Sequence, residues 1–378
     1  MIKAIINAKI ILNDTLIEDK ILLFDSKIIG IVESVEEPIP MIDAKGNFVS
    51  AGFIDLHIHG SGGVDVMDGT FYALDTLSLT LPQTGTTSFL ATTMTMSPEV
   101  IENALLNIQK NKNSVKGATI LGVHLEGPFL NRDKNGAQDK KYIQSPNFEL
   151  IKEYINEIKM ITLAPEVEGS ERFINYISKN HPHIILSIGH SNASYEETRK
   201  SFSWGISHAT HLFNAMPSLH HREPSIVGAV FDEDTISCDI IADLVHTHPY
   251  TLNLTHKMKP NQLILVTDSM RAGCMKNGLY DLGGREVRVN DTKATLEDGT
   301  LAGSVLKMND AMKNMLNYTS MSFLEVIKSV TQLPATKLAN NKGSLEVGKD
   351  ADIVIFDDQF NIKITIINAE VKYRCSDF

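Results

Sequence analysis

Between residues 53 and 268, eight short runs of apolar, β-branched residues alternate with longer stretches of helical composition. No other feature constrains the fold as strongly. The runs are Phe53–His59, Thr87–Thr93, Thr119–Glu126, Ile161–Ala164, Ile184–His190, Ile206–His211, Ile236–Ala242 and Leu263–Asp268. Near-continuous hydrophobicity marks strands buried on both faces, as in parallel sheets covered by helices. Helices are expected near residues 71–82, 98–111, 148–158, 170–180, 194–203, 248–257 and 307–317. Several open on cap-type residues, as in Ser97-Pro98-Glu99 and Ser194-Tyr195-Glu196-Glu197. Eight strands with intervening helices predict an α/β chain folded as a (β/α)8 TIM-like barrel rather than a doubly wound sheet.

The ends of the chain differ from this middle. Residues 2–49 contain short runs such as Lys9-Ile10-Ile11-Leu12 and Lys20-Ile21-Leu22-Leu23-Phe24, separated by turn signals at Asn13-Asp14 and Asp25-Ser26. The tail has the same character, with Gly343–Asp350 leading into Ala351–Phe356 and Ile362–Ile367. Residues 1–50 and 336–378 are therefore expected to form one small β-sandwich domain, and residues 51–335 the barrel. The polar, Gly-rich segment near 273–303 is expected to carry a β-hairpin insertion.

A formal net charge of −11 argues against nucleic-acid binding and against docking on anionic membranes, both of which need clustered Lys and Arg. No apolar run approaches the ~18 residues of a membrane span, and Lys9 interrupts the N-terminal apolar stretch before a signal-peptide core. Cys238, Cys274 and Cys375 form no CxxC pair and no disulfide framework. A cytoplasmic location is expected.

Function starts with the thirteen histidines. In a barrel of this kind the active site lies at the C-terminal ends of the strands. The first run ends Asp55-Leu56-His57-Ile58-His59, and the strand period of two puts both imidazoles on one face. The third ends His124-Leu125-Glu126, the fifth Gly189-His190, the sixth Thr210-His211 and the eighth Thr267-Asp268. A single strand-end His is most often a hydrogen-bonded structural residue. Five strand ends in agreement make a metal site, and imidazole with carboxylate suits Zn²⁺ or Fe²⁺.

This arrangement resembles the amidohydrolase superfamily of metal-dependent hydrolases. Many dinuclear members place a carboxylated Lys after strand four, where this chain reads Leu163-Ala164-Pro165-Glu166, and Glu126 takes over as the carboxylate ligand. The strings Gly122–Phe129, Gly189–Ala193, Thr210–Met216, His221–Pro224, Ile241–His246 and Leu301–Ser304 are similar to the superfamily's sugar-phosphate deacetylase branch. That branch removes the N-acetyl group of N-acetylglucosamine 6-phosphate. The resemblance implies that Glu126, His190 and His211 hold the metal common to the branch, and that His57 and His59 belong to a second site present in some members. It implies Asp268 as the catalytic acid/base. Asn214, Ala215, Arg222 and His246 match substrate positions, the last two at the phosphate and both supplied by a neighbouring subunit, hence a homodimer. Ala137 and the Leu301-Ala302-Gly303 turn match further sugar contacts. Gln138 stands where some members carry a His that polarises the acetamide carbonyl; a Gln amide donates a hydrogen bond but never becomes cationic. An N-acetylgalactosamine-6-phosphate deacetylase, another amidohydrolase of small N-acyl or cyclic amides, and a non-catalytic barrel are the competing readings.

The other marked residues read as structural. His124 is expected to be packed in the core, His208 to be structural, and His248 to begin a helix. His181, His183, His220 and His256 are expected to be solvated. Gly60-Ser61-Gly62-Gly63 lacks the GK[ST] ending of a phosphate loop and reads as a tight turn.

Overall fold

All eight runs are strands in a computed structural model of the chain, which describes residues 1–36 and 38–378. They are Phe53–Ile58, Thr86–Thr92, Thr119–Glu126, Ile158–Leu163, Ile185–Ile188, Ile206–Ala209, Ser237–Ile241 and Leu263–Val266. Each pairs in parallel with the next in chain order. The first and last strands meet where the Asp268 N–H donates to the His57 carbonyl (2.8 Å) and His59 N–H to Ser269 (2.9 Å). Thr267 Oγ1 adds a 2.6 Å bond to the buried Asp55 carboxylate. The result is the expected barrel, with its apolar faces covered by helices.

Six of the expected helices are present: Phe71–Thr80, Pro98–Asn111, Ser170–Asn180, Tyr195–Trp204, Pro249–Met258 and Met308–Tyr318. Ser194 and Glu197 form a capping box at the start of the fourth of these, satisfying two N–H groups the helix cannot pair internally. The seventh differs. Residues 148–158 contain only the 3-10 turns Phe148–Leu150 and Lys152–Tyr154. Strand four, which pairs from Ile158 against Val123, takes the end of the expected helix. Ser225–Asp232, Phe323–Val330 and Gln332–Lys337 are additional helices that the periodicity did not isolate.

Strands from both ends of the chain share one six-stranded sheet, in which Phe48–Ala51 lies antiparallel to Ile353–Phe356. A four-stranded sheet of Lys3–Ile6, Ile21–Phe24, Ile28–Val32 and Met41–Asp43 accompanies it. Ile5, Leu22, Phe24, Ile353 and Ile364 pack in the core of this β-sandwich. Lys342 pairs with Asp352 at 2.6 Å, both buried, and Asp352 also accepts from Ser88 of the second barrel strand. The segment after the eighth strand is a three-stranded meander rather than a hairpin: Gly278–Leu282, Arg285–Asn290 and Lys293–Thr295. Among the described residues no helix is long and apolar enough to cross a membrane.

Candidate active site

Five of the eight strand ends deliver side chains to one point. His57 and His59 close the first strand, with Nε2 atoms 3.2 Å apart. Glu126 ends the third strand. Its Oε1 lies 3.1 Å from His211 Nε2, 3.2 Å from His190 Nε2 and 3.6 Å from His57 Nε2; its Oε2 lies 3.3 Å from His59 Nε2. Asp268 Oδ1 stands 3.4 and 3.3 Å from the Nε2 atoms of His57 and His59. All six residues are buried.

Tautomers decide what such a cluster can hold. His190 Nδ1 faces the Lys134 carbonyl at 2.8 Å, and His59 Nδ1 faces the Thr92 carbonyl at 3.3 Å. A carbonyl only accepts, so each Nδ1 carries a proton, and a ring in its neutral form turns the Nε2 lone pair inward. Those lone pairs face carboxylate oxygens, an arrangement that is repulsive unless positive charge lies between them. Two groups of donors have the spacing for an ion, His57–His59–Glu126 and Glu126–His190–His211, with Glu126 common to both. The residues fit a divalent cation, and the Nδ1–carbonyl bonds are the outer partners that such ligands use to fix their orientation.

Protons on the imidazoles are a second source of positive charge for these carboxylates. Burial opposes the charged form of His211, and the hydrogen bond to Glu126 overrides it, lifting the imidazole to about 9. Burial likewise opposes ionisation of Asp268, but the charge of His57 and the bond to His59 hold its carboxyl at about 2. A bound cation takes the place of such protons, which is why metal binding releases them.

The cluster floors a cavity of about 240 Å³ at the C-terminal end of the barrel. His59, Glu126, His190, His211 and Asp268 line it, together with Ala137, Gln138, Asn214, Ala215, His246, Leu301 and Gly303. His57 sits behind His59, fully buried. Two expected contacts lie elsewhere. Ala302 turns its side chain into the core of the three-stranded insertion, because its N–H pairs with the Ala294 carbonyl. Arg222 is exposed on the loop before residue 225 and bonds to His221, outside the cavity. The resemblance implied that Arg222 and His246 arrive together from a neighbouring subunit, yet His246 lines the cavity of its own chain. Asp243 Oδ2 pairs with His246 Nδ1 at 2.7 Å, leaving Nε2 free for a ligand.

Three supporting residues escaped the sequence reading. Glu166, after strand four, accepts from Ser191 Oγ (2.7 Å), the Asn192 N–H (2.6 Å) and Asn131 Nδ2 (2.8 Å), clamping the turn that carries His190. Asp239 accepts a very short bond from the His211 N–H and pairs with His208 Nε2 at 3.0 Å. Asp55 anchors the first strand to the eighth as described. The available signal was a lone carboxylate inside or just beyond an apolar strand, a costly placement unless hydrogen-bonded. Backbone strain collects here too: His190, His211 and Asp268 have φ of 47°, 32° and 47°, a left-handed conformation uncommon for residues other than glycine. Gly189 is needed because a Cβ there would stand 2.6 Å from Thr162 Cγ2.

Four of the remaining histidines have structural places. His124 bonds to the Leu56 carbonyl (3.1 Å) and Thr162 Oγ1 (2.7 Å), so both ring nitrogens are engaged away from the cluster. His208 is buried and paired as above, and His248 caps the helix Pro249–Met258. His256, expected to be solvated, is buried on the inner face of that helix.

The Amidohydrolase family model matches residues 48–372. An N-acetylglucosamine-6-phosphate deacetylase of Bacillus subtilis (strain 168) is 41% identical over 333 residues, 85% of this chain and 84% of that protein. An N-acetylgalactosamine-6-phosphate deacetylase of Escherichia coli O157:H7 is 32% identical over 342 residues, 88% of this chain and 90% of that one. The crystal structure of N-acetylglucosamine-6-phosphate deacetylase from Pasteurella multocida superposes with a TM-score of 0.94 at 33% identity, covering 98% of this chain and 99% of that one.

Proposed function

The chain belongs to the amidohydrolase family, and from that membership we propose that it hydrolyses N-acetylglucosamine 6-phosphate to glucosamine 6-phosphate and acetate. The observation that carries this reading is the buried set of imidazole Nε2 atoms turned onto the Glu126 carboxylate at the floor of the cavity. It supports a divalent metal centre in a barrel whose relatives are deacetylases of amino-sugar phosphates.

Glu126, His190 and His211 would hold an ion, and His57 and His59 with Glu126 a second; Zn²⁺ or Fe²⁺ matches this donor set. Such an ion would supply a Lewis acid for the acetamide carbonyl and lower the pKa of water toward about 7. Asp268 takes the proton of the attacking water. It returns that proton to the amide nitrogen as the C–N bond breaks, so the acetyl carbon departs as acetate and the sugar keeps a free amine. A buried carboxylate held beside two imidazoles suits both steps because it shuttles one proton without leaving its place.

His246 Nε2 is proposed to meet the phosphate, and Asn214, Ala215, Ala137, Leu301 and Gly303 the sugar. Arg222 is too exposed to serve its own cavity; a homodimer in which Arg222 of the partner subunit completes the phosphate site accounts for it. Three cysteines without disulfides suit a reducing compartment, and we place the protein in the cytoplasm.

The test is acetate release from N-acetylglucosamine 6-phosphate before and after chelation, with reloading by Zn²⁺ or Fe²⁺. Turnover that survives complete metal removal overturns the reading. The galacto epimer is the second reading, favoured by the Escherichia coli relative, and side-by-side kinetics on the two sugar phosphates decide between them.

A further inference from the structure

Gln138 has an amide whose two ends are committed in a specific way. Its side chain is buried, and its Oε1 accepts from the backbone N–H of Thr95 at 2.7 Å. A backbone N–H only donates, so the oxygen must face Thr95 and the NH₂ must face the other way. There, Nε2 donates to Glu126 Oε2 at 2.7 Å. This is the oxygen turned toward His59, while Oε1 faces His190 and His211.

The segment around Gln138 is held as firmly as the amide. The Gln138 N–H donates to the Asn135 carbonyl (2.9 Å), and Asn135 Nδ2 donates to the Gln138 carbonyl (2.8 Å). Lys134, in the same segment, receives His190 Nδ1, and Gly136 turns with φ 54° against the His190 ring. One loop therefore orients both His190 and the Glu126 carboxylate.

We propose that Gln138 is a positioning residue for Glu126, fixing the rotation of its carboxylate so that Oε1 faces His190 and His211 while Oε2 stays toward His59. The inference rests on the metal-centre reading above and deepens it. Three imidazoles, those of His57, His190 and His211, lie within 3.6 Å of Oε1, and that of His59 lies 3.3 Å from Oε2. The Gln138 bond anchors Oε2 at the His59 end, where only one imidazole holds it. Removing an outer partner of a metal ligand weakens metal binding by about 10–100-fold.

The test is zinc affinity measured by competition with a chromophoric chelator, together with the visible spectrum of the cobalt-substituted protein. Wild type is compared with Gln138→Met, which keeps the length and removes the donor. Gln138→Asn is the second variant, because it keeps the amide but is too short to span Thr95 and Glu126. The expected result is a loss of about 10–100-fold in at least one zinc-binding step and an altered cobalt spectrum in whichever variants fold. Wild-type zinc affinity and spectrum in a folded variant, with only KM for the sugar phosphate raised, would make Gln138 a substrate contact and overturn the proposal. If wild type itself binds no zinc or cobalt, the metal-centre reading falls and this inference falls with it.

Discussion

Ser191 Oγ donates to Glu166 Oε2 at 2.7 Å, one residue beyond a histidine of the buried cluster. With the Asn192 N–H and Asn131 Nδ2 on the other oxygen, Glu166 fixes the left-handed turn at His190 from the side opposite the cluster. The Asn131 N–H in turn holds the His190 carbonyl at 2.9 Å.

Glu166→Ala removes three charge-assisted bonds from partly exposed partners, so a stability loss of about 1–3 kcal/mol is expected in urea unfolding. Zinc affinity should fall by about 10-fold as His190 loses its orientation. Unchanged affinity would confine Glu166 to a purely structural role.

Asp268→Asn keeps the shape of the site and removes the base. The expected outcome is a fall in kcat of about 10²–10⁴. Zinc content should be retained, because neither three-residue donor group includes Asp268. Near-normal acetate release by the variant would remove Asp268 from proton transfer.

Arg222→Ala should raise KM for N-acetylglucosamine 6-phosphate by about 10–100-fold, the worth of a charge-assisted phosphate contact. N-acetylglucosamine without the phosphate should be affected little. If Arg222 acts across a dimer, mixing Arg222→Ala with Asp268→Asn subunits should recover activity, since one of the two sites in a mixed dimer is intact. No gain in activity after subunit exchange, at a substrate concentration where Arg222→Ala alone turns over slowly, would place Arg222 in its own chain's site.

Lys337 lies at the N-terminal end of the barrel, donating to the Ser207 carbonyl (2.7 Å) and Ser207 Oγ (3.2 Å). Burial lowers its amine from 10.5 to about 8. Below pH 8 both folded and unfolded chains carry the ammonium, and the fold bears the full cost of burying it. Between about pH 8 and 10.5 the folded amine loses its proton while the unfolded one keeps it, so stability contributed by this group rises with pH. The cost at neutral pH is on the order of 3 kcal/mol, offset by the two hydrogen bonds. Lys337→Met should therefore gain about 1 kcal/mol at pH 7 relative to wild type, and that gain should shrink by pH 10. Urea titrations of both proteins at the two pH values measure it; a difference independent of pH would mean that the amine titrates normally.

Much of this architecture was legible because it rests on local periodicity. Eight apolar runs determined eight buried strands, and the position of His57, Glu126, His190, His211 and Asp268 in those runs puts them at strand ends without reference to any contact. The boundaries erred where tertiary pairing competes with local preference. Strand four begins at Ile158, and the segment before it, helical by composition, was left with 3-10 turns.

The sequence by itself determined the barrel and the identity of the ligand candidates, because alternation and residue type are written along the chain. Only the tertiary structure decided how those ligands are held. Glu166 reaches back to Ser191, Asp239 grips the His211 backbone, and Gln138 joins Thr95 to Glu126. It also decided that His246 enters the cavity while Arg222 stands outside and Ala302 turns away. These relations depend on side-chain direction at left-handed turns and on partners 12 to 43 residues apart, which no periodicity encodes.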